Sequence, residues 1–234
     1  MALERVPSER AHAAYSRFQP LLDAQDKEGC VLLALSLLQT EELDIVTLYE
    51  GIIGPLARNQ ACVDSERSLC VWKEHVRTSI LRTVVECCYP HLMQARRALS
   101  GDMTRGLAVI GCPTEEYHEL GARIVADFFT LCGFNVTFVG ANTPQKDILE
   151  AVPLLSPEFA GVSVTGPYNL IAARRTIQQL VALRESSGGR FRIVVGGQAF
   201  GEDLELAKSV GADVLVQNYD GIFRLCEEVP WSSR

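Results

Sequence analysis

The sequence predicts an α/β protein in two parts, an N-terminal four-helix bundle followed by a doubly wound sheet of five parallel strands. Up to about Leu99, apolar residues recur every three to four positions, as in amphipathic helices. After residue 104, short β-type runs alternate with helical ones, which is typical of a parallel sheet. We therefore expect a helical domain over 1–99 and a sheet domain over 104–234, joined by a polar hinge around Gly101.

The helical part divides into four predicted helices, over residues 9–24, 26–38, 41–61 and 64–92. Thr40, followed by two glutamates, and Asp64, followed by Ser65 and Glu66, place capping and acidic residues where the last two helices begin. Short connections favour antiparallel neighbours, and hence a bundle. Trp72, on the fourth helix, is expected to pack in the core.

The second part contains five predicted strands, each followed by a helix. The strands cover residues 106–110, 134–139, 160–164, 191–195 and 213–216, and the helices cover 115–132, 144–155, 168–186, 202–210 and 218–228. Right-handed crossovers would make this a flavodoxin-like (Rossmann-like) sheet. Such sheets bind ligands at the carboxyl ends of their strands, so the loops after the strands are the place to look for a site.

Composition narrows the function classes. The chain has 234 residues, 47% of them hydrophobic, and a net charge of -7, so we expect a folded protein that does not bind nucleic acid directly. The longest apolar stretches, such as 30–38, are shorter than the roughly 20 residues that span a bilayer. Residues 1–10 are polar and lack the apolar core of a signal peptide. We therefore expect a cytoplasmic protein without a membrane partner.

Eight cysteines occur without a Cys-x-x-Cys pair or zinc-ligand spacing. They are Cys30, Cys62, Cys70, Cys87, Cys88, Cys112, Cys132 and Cys226. Most lie in apolar periodic segments, which predicts reduced, buried thiols rather than a disulfide framework or a metal cluster.

The loop after the first strand contains Glu116 and His118, with Gly121 one turn further on. A histidine at the start of a helix can present one ring nitrogen outward while a hydrogen bond to the other fixes the tautomer. Gly121 would leave room beside the imidazole. On this segment alone, a histidine that caps the helix or is solvated is the more common case.

Two further loops carry small polar residues. Ser163 and Thr165 are two apart in an extended chain, so both hydroxyls can reach one polar ligand edge. After the fourth strand, Gly196 and Gly197, followed by Gln198, remove two side chains and would let a flat group lie against the backbone. No nucleotide-binding glycine motif occurs, so a nucleotide is not the natural ligand.

The order of these motifs resembles that of the cobalamin-binding domain family. The family pattern is Asp-x-His-x-x-Gly, then Ser-x-Leu, then Gly-Gly, whereas this chain has Glu116-x-His118-x-x-Gly121, Ser163-x-Thr165 and Gly196-Gly197. The resemblance implies that His118 replaces the nucleotide base of cobalamin as the lower cobalt ligand, with Glu116 orienting its ring. This sequence departs from the family pattern at two positions: Glu116 replaces Asp, and Thr165 replaces Leu.

The same resemblance assigns residues to the nucleotide tail of the cofactor, which is displaced when His118 replaces its base. Gly121 would clear its path, Ser163 would hydrogen-bond to it, and Gly196 with Gly197 would form the floor of its channel. Thr165 and Gln198 belong to the loops on either side of that channel.

Several details resemble the light-sensing branch of this family. They are Glu-x-His, the run Gly140-Ala141-Asn142-Thr143-Pro144 and the run Val195-Gly196-Gly197-Gln198-Ala199. In that branch the bundle carries a Trp and, after nine intervening residues, a Glu-His pair, and together these residues cover the upper face of the corrin. Glu74-His75 is present here, and the Trp position falls on Asp64. The resemblance implies that Glu74 and His75 face the cofactor, with His75 as a candidate upper cobalt ligand.

The resemblance implies a light-responsive sensor or regulatory protein that binds adenosylcobalamin and lacks its own DNA-binding domain. It would signal as a homodimer or through a partner protein. Because Asp64 replaces the bulky Trp, room for a second tetrapyrrole, biliverdin, is a further expectation. The alternatives are a corrinoid methyl carrier serving a methyltransferase and an interaction module that binds no cobalamin.

Overall fold

The computed structural model describes residues 8–58 and 67–233. The chain divides into two compact units, which meet in sequence between Ala95 and Arg96. The first unit is helical and the second contains the sheet.

The helical unit begins with α1 (Ser8–Asp23) and α2 (Lys27–Gln39). The next helical segment is continuous from α3 (Ile45–Leu48) through a π-helical turn (Tyr49–Ile53) into α4 (Gly54–Arg58). The last helix, α5, runs from Arg67 to Ser100. Asp26 and Asp44 cap α2 and α3, because each side chain accepts a hydrogen bond from a backbone N–H three residues ahead.

The predicted start of the third helix is wrong. Thr40 is the C-cap of α2 and its hydroxyl donates to the Ser36 carbonyl. Glu41 has a positive φ of 55°, which a right-handed helix does not accommodate. The helix therefore begins after Asp44. The predicted end of this helix at residue 61 and the start signal at Asp64 lie outside the described residues.

The predicted end of the fourth helix at residue 92 is also wrong. Helix α5 continues through Pro90 to Ser100. It ends where Gly101 adopts a φ of 58° and donates its N–H to the Arg97 carbonyl, as at many helix C-termini. Trp72 is 47% exposed, so the expectation that it packs in the core is not met.

The second unit opens with a short strand, β1 (Met103–Thr104), that pairs antiparallel with the last strand, β7 (Ser232–Ser233). This pair was not predicted. The guanidinium of Arg105 stacks over the Trp231 ring at 4.1 Å, and its Nη1 donates to the Cys226 carbonyl at 2.9 Å. These contacts hold the C-terminal segment against the start of the sheet unit.

The main sheet has five parallel strands and confirms the predicted α/β fold. They are β2 (Gly106–Pro113), β3 (Phe134–Thr143), β4 (Phe159–Ser163), β5 (Arg192–Gly196) and β6 (Val214–Leu215). The intervening helices are α6 (Leu120–Leu131), α7 (Gln145–Leu155), α8 (Leu170–Ser187), α9 (Leu204–Val210) and α10 (Tyr219–Glu227).

The strand order is β3-β2-β4-β5-β6. The chain first crosses from β2 to β3 on one side and then returns to build β4, β5 and β6 on the other. The order of strands therefore reverses between β2 and β4, and a doubly wound sheet opens a crevice at the carboxyl ends of its strands there. Glu116 and His118 follow β2, and Thr165 follows β4, so the fold brings these loops to the same crevice.

Apolar side chains of the sheet and of α8 pack together in a buried core that includes Val162, Ile177 and Ile193. The six cysteines with described side chains are free thiols and, except for half-buried Cys87, are buried. For these six the prediction of reduced thiols is confirmed. None of the described helices is long and apolar enough to cross a membrane.

Candidate functional site

The segment after β2 is a turn rather than the predicted helix. Residues 114–119 form a loop, and α6 begins only at Leu120. Glu115 has a φ of 68°, which prevents a right-handed helix from starting at this residue. His118 therefore lies two residues before a helix instead of inside its first turn.

A buried carboxylate and a partly exposed imidazole meet in this turn. Oε1 of Glu116 lies 2.6 Å from Nδ1 of His118 and also accepts the His118 backbone N–H at 2.9 Å. The Glu116 side chain is fully buried, whereas the His118 side chain is 44% exposed. The turn therefore holds the ring by one nitrogen and leaves part of it accessible.

The second carboxylate oxygen of Glu116 is held by the loop after β4. Oε2 accepts the N–H groups of Thr165 and Gly166 at 2.8 and 2.9 Å and the Asn169 side-chain amide at 3.0 Å. Burial by itself raises the pKa of the Glu116 carboxyl, but hydrogen bonds from His118, Asn169 and Gly166 outweigh burial and lower this pKa from 4.5 to about 2. Glu116 is therefore ionised at neutral pH.

The ionised Glu116 carboxylate determines the tautomer of the neutral His118 imidazole. Because a carboxylate only accepts hydrogen bonds, the proton of neutral His118 belongs on Nδ1, which faces Glu116. The basic lone pair then belongs to Nε2. A metal-ligating histidine usually has this arrangement, with one nitrogen bound to a carboxylate and the other to the metal.

Gly121 lies on the exposed side of the first turn of α6. A Cβ added at this position would meet nothing within 4 Å. The chain's own packing therefore does not require glycine here, and the space beside this residue is open.

The loop after β2 is also held from the β3 side. The Asn142 side chain accepts the Glu115 N–H at 2.8 Å, and the Asn142 N–H donates to the Glu116 carbonyl at 2.8 Å. Asn142 is exposed and has a φ of 48°. Thr143 is buried, and its hydroxyl donates to the Gly140 carbonyl at 3.2 Å. Asn142 thus positions the turn, and Thr143 stabilises the end of its own strand.

The Ser-x-Thr and Gly-Gly motifs meet at adjacent strand ends. Ser163, the last residue of β4, pairs in register with Gly196, the last residue of β5. Ser163 is 8% exposed. Thr165 lies beyond the strand, half-buried, with its N–H directed to Glu116. The structure therefore brings Ser163, Thr165 and Gly196 to the crevice that also contains His118.

The two glycines are required by the chain itself. A Cβ at Gly196 would lie 2.6 Å from the Val216 carbonyl oxygen, and a Cβ at Gly197 would lie 2.2 Å from the Val164 carbonyl oxygen. Close backbone packing therefore requires glycine at both positions, and the expectation that they also leave room for a flat group stays a prediction. Gln198, which follows them, is exposed.

Glu74 and His75 lie on α5 in the helical unit. Oε1 of Glu74 accepts the Thr78 hydroxyl at 3.1 Å, and His75 is exposed. Their predicted place beside the cofactor stays a prediction.

Two positioning residues were missed at the sequence level. Asn169 is 1% exposed and donates to both Glu116 and the Glu115 carbonyl. Gln217 donates from Nε2 to the Gly201 carbonyl and, at 3.5 Å, to the Gly197 carbonyl. The Gly166-Pro167 pair predicts a turn before Asn169. No local pattern indicates that the Asn169 amide contacts Glu116, which is 53 residues away in sequence.

Comparison with known families gives one match over half of the chain. Residues 106–223 match the family described as B12 binding domain. This range contains the turn after β2, the loop after β4 and the two glycines at the end of β5.

Two curated relatives illustrate the range of proteins that resemble this chain. The HTH-type transcriptional repressor CarA of Myxococcus xanthus is 26% identical over 172 residues, which cover 73% of this chain and 54% of the relative. Dimethylamine corrinoid protein 2 of Methanosarcina mazei is 27% identical over 143 residues, 55% of this chain and 65% of the relative. The chain thus matches between half and two-thirds of the length of these two relatives.

A solved structure shares the fold. The monomethylamine corrinoid protein of Methanosarcina barkeri superimposes with a TM-score of 0.75 at 14% identity, over 93% of this chain and 98% of that chain.

Proposed function

Because this chain belongs to the B12 binding domain family, we propose that it binds cobalamin through His118 and acts as a light-responsive sensor. The observation that carries the proposal is the contact between Glu116 and His118, in which an ionised, buried carboxylate holds Nδ1 of a partly exposed imidazole. In this proposal Nε2 of His118 is the lower ligand of cobalt, and Glu116 orients the ring.

The residues around this pair fit a large cofactor. The open space at Gly121 accepts a bulky group beside the imidazole. Ser163 ends β4, and Thr165 lies in the loop that follows it. Both residues face the same crevice, where they would bind the polar tail of the cofactor. Gly197 allows the loops after β4 and β5 to approach closely, and Gly196 allows the end of β5 to lie against the segment after β6. In this proposal both glycines shape one wall of the tail channel.

The light-responsive part of the proposal rests on the helical unit. A match that covers 73% of 234 residues has to include Glu74 and His75, wherever it begins, so the resemblance to the transcriptional repressor reaches α5. Bound adenosylcobalamin would supply a cobalt–carbon bond that light can break. In this proposal His75 responds to the loss of the upper ligand after illumination. The resulting change passes to a homodimer interface or to a partner protein.

A second chromophore is part of the same proposal. The bulky Trp of the light-sensing branch is replaced by Asp64 here, which supports room for biliverdin beside the cobalamin. The test is to add biliverdin to the cobalamin-loaded protein and to remove unbound pigment by gel filtration. Co-elution of the red-absorbing band supports the second site, and elution of the protein without it removes biliverdin from the proposal.

The sensor is tested by recording the absorption spectrum and the oligomeric state of the adenosylcobalamin-loaded protein in the dark and after illumination. We expect cofactor uptake that depends on His118, and a light-induced change in both the spectrum and the oligomeric state. An uptake no better than that of His118→Ala would support a module that binds no cobalamin. Uptake without any response to light would remove the sensor and leave the cobalamin site.

The second candidate is a methyl carrier, which is favoured by the resemblance to the dimethylamine corrinoid protein. That match includes Glu116 and His118 wherever it begins, because it covers 55% of the chain. This candidate predicts that the reduced, cobalamin-loaded protein becomes methylated when a methylamine and its methyltransferase are supplied. Failure to reach the reduced state under strong reductants would remove it.

A further inference from the structure

We propose that Cys132 and Cys226 form a site of reversible modification, at which a peroxide oxidises the two thiols to a disulfide. The site belongs to the sheet unit. Cys132 comes two residues before β3, at the amino ends of the strands, and so at the opposite edge of the sheet from the crevice that contains His118. The proposal goes beyond cobalamin binding and does not depend on it.

The packing of α6 against α10 brings the two cysteines together. Cys132 is the C-cap of α6, and Cys226 lies one residue before the end of α10. The Phe128 and Tyr219 rings join these helices edge to face, with their centroids 5.3 Å apart. Both cysteines are free thiols in the structure, and they are buried, with exposed fractions of 6% for Cys132 and 1% for Cys226.

Arg105 ties together the two segments that carry these thiols. Its backbone N–H donates to the carbonyl of Gly133, the residue after Cys132, at 3.0 Å. Its Nη1 donates to the carbonyl of Cys226 itself at 2.9 Å. Between the two segments, the side chain of Cys132 is hydrogen-bonded to that of Cys226. The two sulfur atoms therefore face each other across a junction that a single arginine holds closed.

The surroundings of Cys226 keep it protonated while this junction is closed. Burial, and then the hydrogen bond with Cys132, raise the pKa of the Cys226 thiol, and the positive charge of Arg105 offsets only part of this rise. The thiolate is the form that attacks, so the closed site should react slowly. Access of water removes the cost of burial and leaves the guanidinium beside the sulfur, which favours the thiolate.

Residues 229–233, here called the C-terminal strap, cover the junction. The Trp231 ring lies so close to Gly133 that an added Cβ there would overlap it, and the ring stacks on the Arg105 guanidinium at 4.1 Å. The end of the strap is attached by the two residue pairs of β1 with β7. Such a short ladder opens more easily than the main sheet, and its opening would expose Cys132.

The reaction consumes one hydrogen peroxide for each disulfide. The Cys132 thiolate, the less buried of the two, attacks one peroxide oxygen, the O–O bond breaks, and water leaves Cys132 as a sulfenic acid. The Cys226 thiolate then attacks the Cys132 sulfur, the S–O bond breaks, and a second water leaves. The two thiols lose two electrons, the peroxide gains them, and both thiol hydrogens end in the two waters. A dithiol reductant reverses the change by thiol–disulfide exchange and is itself oxidised to a disulfide.

The test treats the full chain, reduced and without added cobalamin, with hydrogen peroxide. The remaining thiols are then alkylated, and the disulfides are mapped by peptide mass spectrometry. We expect a linked peptide pair that joins Cys132 to Cys226 and that disappears with dithiothreitol. Absence of this link from both the wild type and Trp231→Ala would overturn the proposal. Because the measurement needs no cofactor, it decides the thiol pair even if the cobalamin site fails.

Trp231→Ala tests the role of the strap. Loss of the Trp231 ring from Arg105 and Gly133 should speed formation of the link by about fivefold or more. Tyr89→Ala is the matched control, because Tyr89 is also a partly exposed aromatic residue but lies on α5 in the helical unit, and its rate should equal that of the wild type. Equal rates for Trp231→Ala and the wild type would remove the strap from the proposal.

A buried cysteine outside the pair controls for indirect oxidation. Cys132→Ser and Cys226→Ser should each abolish the link. Cys30→Ser should leave it unchanged, although Cys30 is also buried and burial raises the pKa of its thiol to about 11. Loss of the link in Cys30→Ser would show that it arises by exchange from another disulfide, and would overturn the direct reaction.

The melting temperature of the oxidised wild type covers the case in which a serine variant does not fold. A disulfide that fits the folded chain closes a long loop between residues 132 and 226 and should raise the melting temperature by about 5 °C or more. A melting temperature that falls when the link forms would show that only the unfolded chain accommodates it, and would overturn the proposal.

Discussion

Oε1 of Glu116 lies 2.6 Å from Nδ1 of His118, and the carboxylate is fully buried while the imidazole is 44% exposed. The loop after β4 holds the other carboxylate oxygen through three N–H donors. A single charged group therefore links the two loops on either side of the point at which the strand order reverses.

Glu116→Gln should make the sheet unit less stable at neutral pH. The carboxyl has a pKa of about 2 in the folded protein instead of 4.5, so it stabilises the fold above pH 4.5, and this contribution is lost as the pH falls toward 2. The difference between wild type and variant should be at most about 3 kcal/mol at pH 7 and shrink steadily below pH 4.5. Denaturant unfolding at several pH values measures it. A difference that stays constant from pH 7 to pH 3 would contradict the assigned ionisation.

Substitutions at Gly121 should separate folding from cofactor binding. A Cβ at this position meets nothing within 4 Å, so Gly121→Ala should leave the melting temperature unchanged or raise it, with up to about 1 kcal/mol gained from helix propensity. Gly121→Leu should also fold but take up much less cobalamin, because its side chain fills the open space. Lys146→Leu, at the second residue of α7, is the control and should bind normally. Normal uptake by Gly121→Leu would place the cofactor elsewhere.

Gly197→Ala should be strongly destabilising. Its φ is 99°, and the new Cβ would lie 2.2 Å from the Val164 carbonyl oxygen, so the loops after β4 and β5 have to separate. We expect a loss of more than about 2 kcal/mol. Gly188→Ala is the control, because that glycine also has a positive φ, 66°, but a Cβ there meets nothing within 4 Å. Equal losses for both variants, measured by denaturant unfolding, would show that backbone strain alone accounts for the effect.

His75→Ala should alter the lit state and leave the dark state intact. His75 is exposed on α5, so its removal should change stability by no more than about 0.5 kcal/mol. If His75 is the upper ligand, the spectrum of the loaded protein after illumination should differ between variant and wild type, while the dark spectra coincide. His91→Ala, also on α5, is the matched control and should behave as wild type in both states. Coinciding lit spectra for His75→Ala and wild type would remove His75 from the proposal.

The alternation of strands and helices was sufficient to predict the sheet, because short runs of β-type residues in the second part are each followed by a helical run. Helix boundaries were less predictable. Thr40 and Asp44 are both residue types that cap helix N-termini, so the sequence offers two starts for the third helix. In the structure Glu41 has a positive φ, and the helix starts after Asp44. The β1–β7 pair joins Thr104 to Ser232, and no local pattern reports such a distant pairing.

The motif residues of the candidate site were predictable from the sequence, but the residues that hold them in place through hydrogen bonds were not. Glu116 and His118 are two residues apart, so their contact follows from local sequence. Asn169 is 53 residues from Glu116, and its role depends on strand order. Gly196 and Gly197 were predicted to make room for a ligand, which stays a prediction. Backbone packing against Val216 and Val164 is a further reason for glycine at these positions, and local sequence does not reveal it.

The proposed cobalamin site is tested most directly by asking whether a nitrogen of His118 binds cobalt. Protein labelled with ¹⁵N-histidine is loaded with cobalamin, reduced to the cobalt(II) state and examined by electron paramagnetic resonance. If His118 binds cobalt, the axial nitrogen splitting, a triplet for ¹⁴N, should become a doublet, and His118→Ala should abolish this doublet. A triplet that persists in the labelled wild-type protein would show that the cofactor's own base remains on cobalt, and would contradict the proposed role of His118.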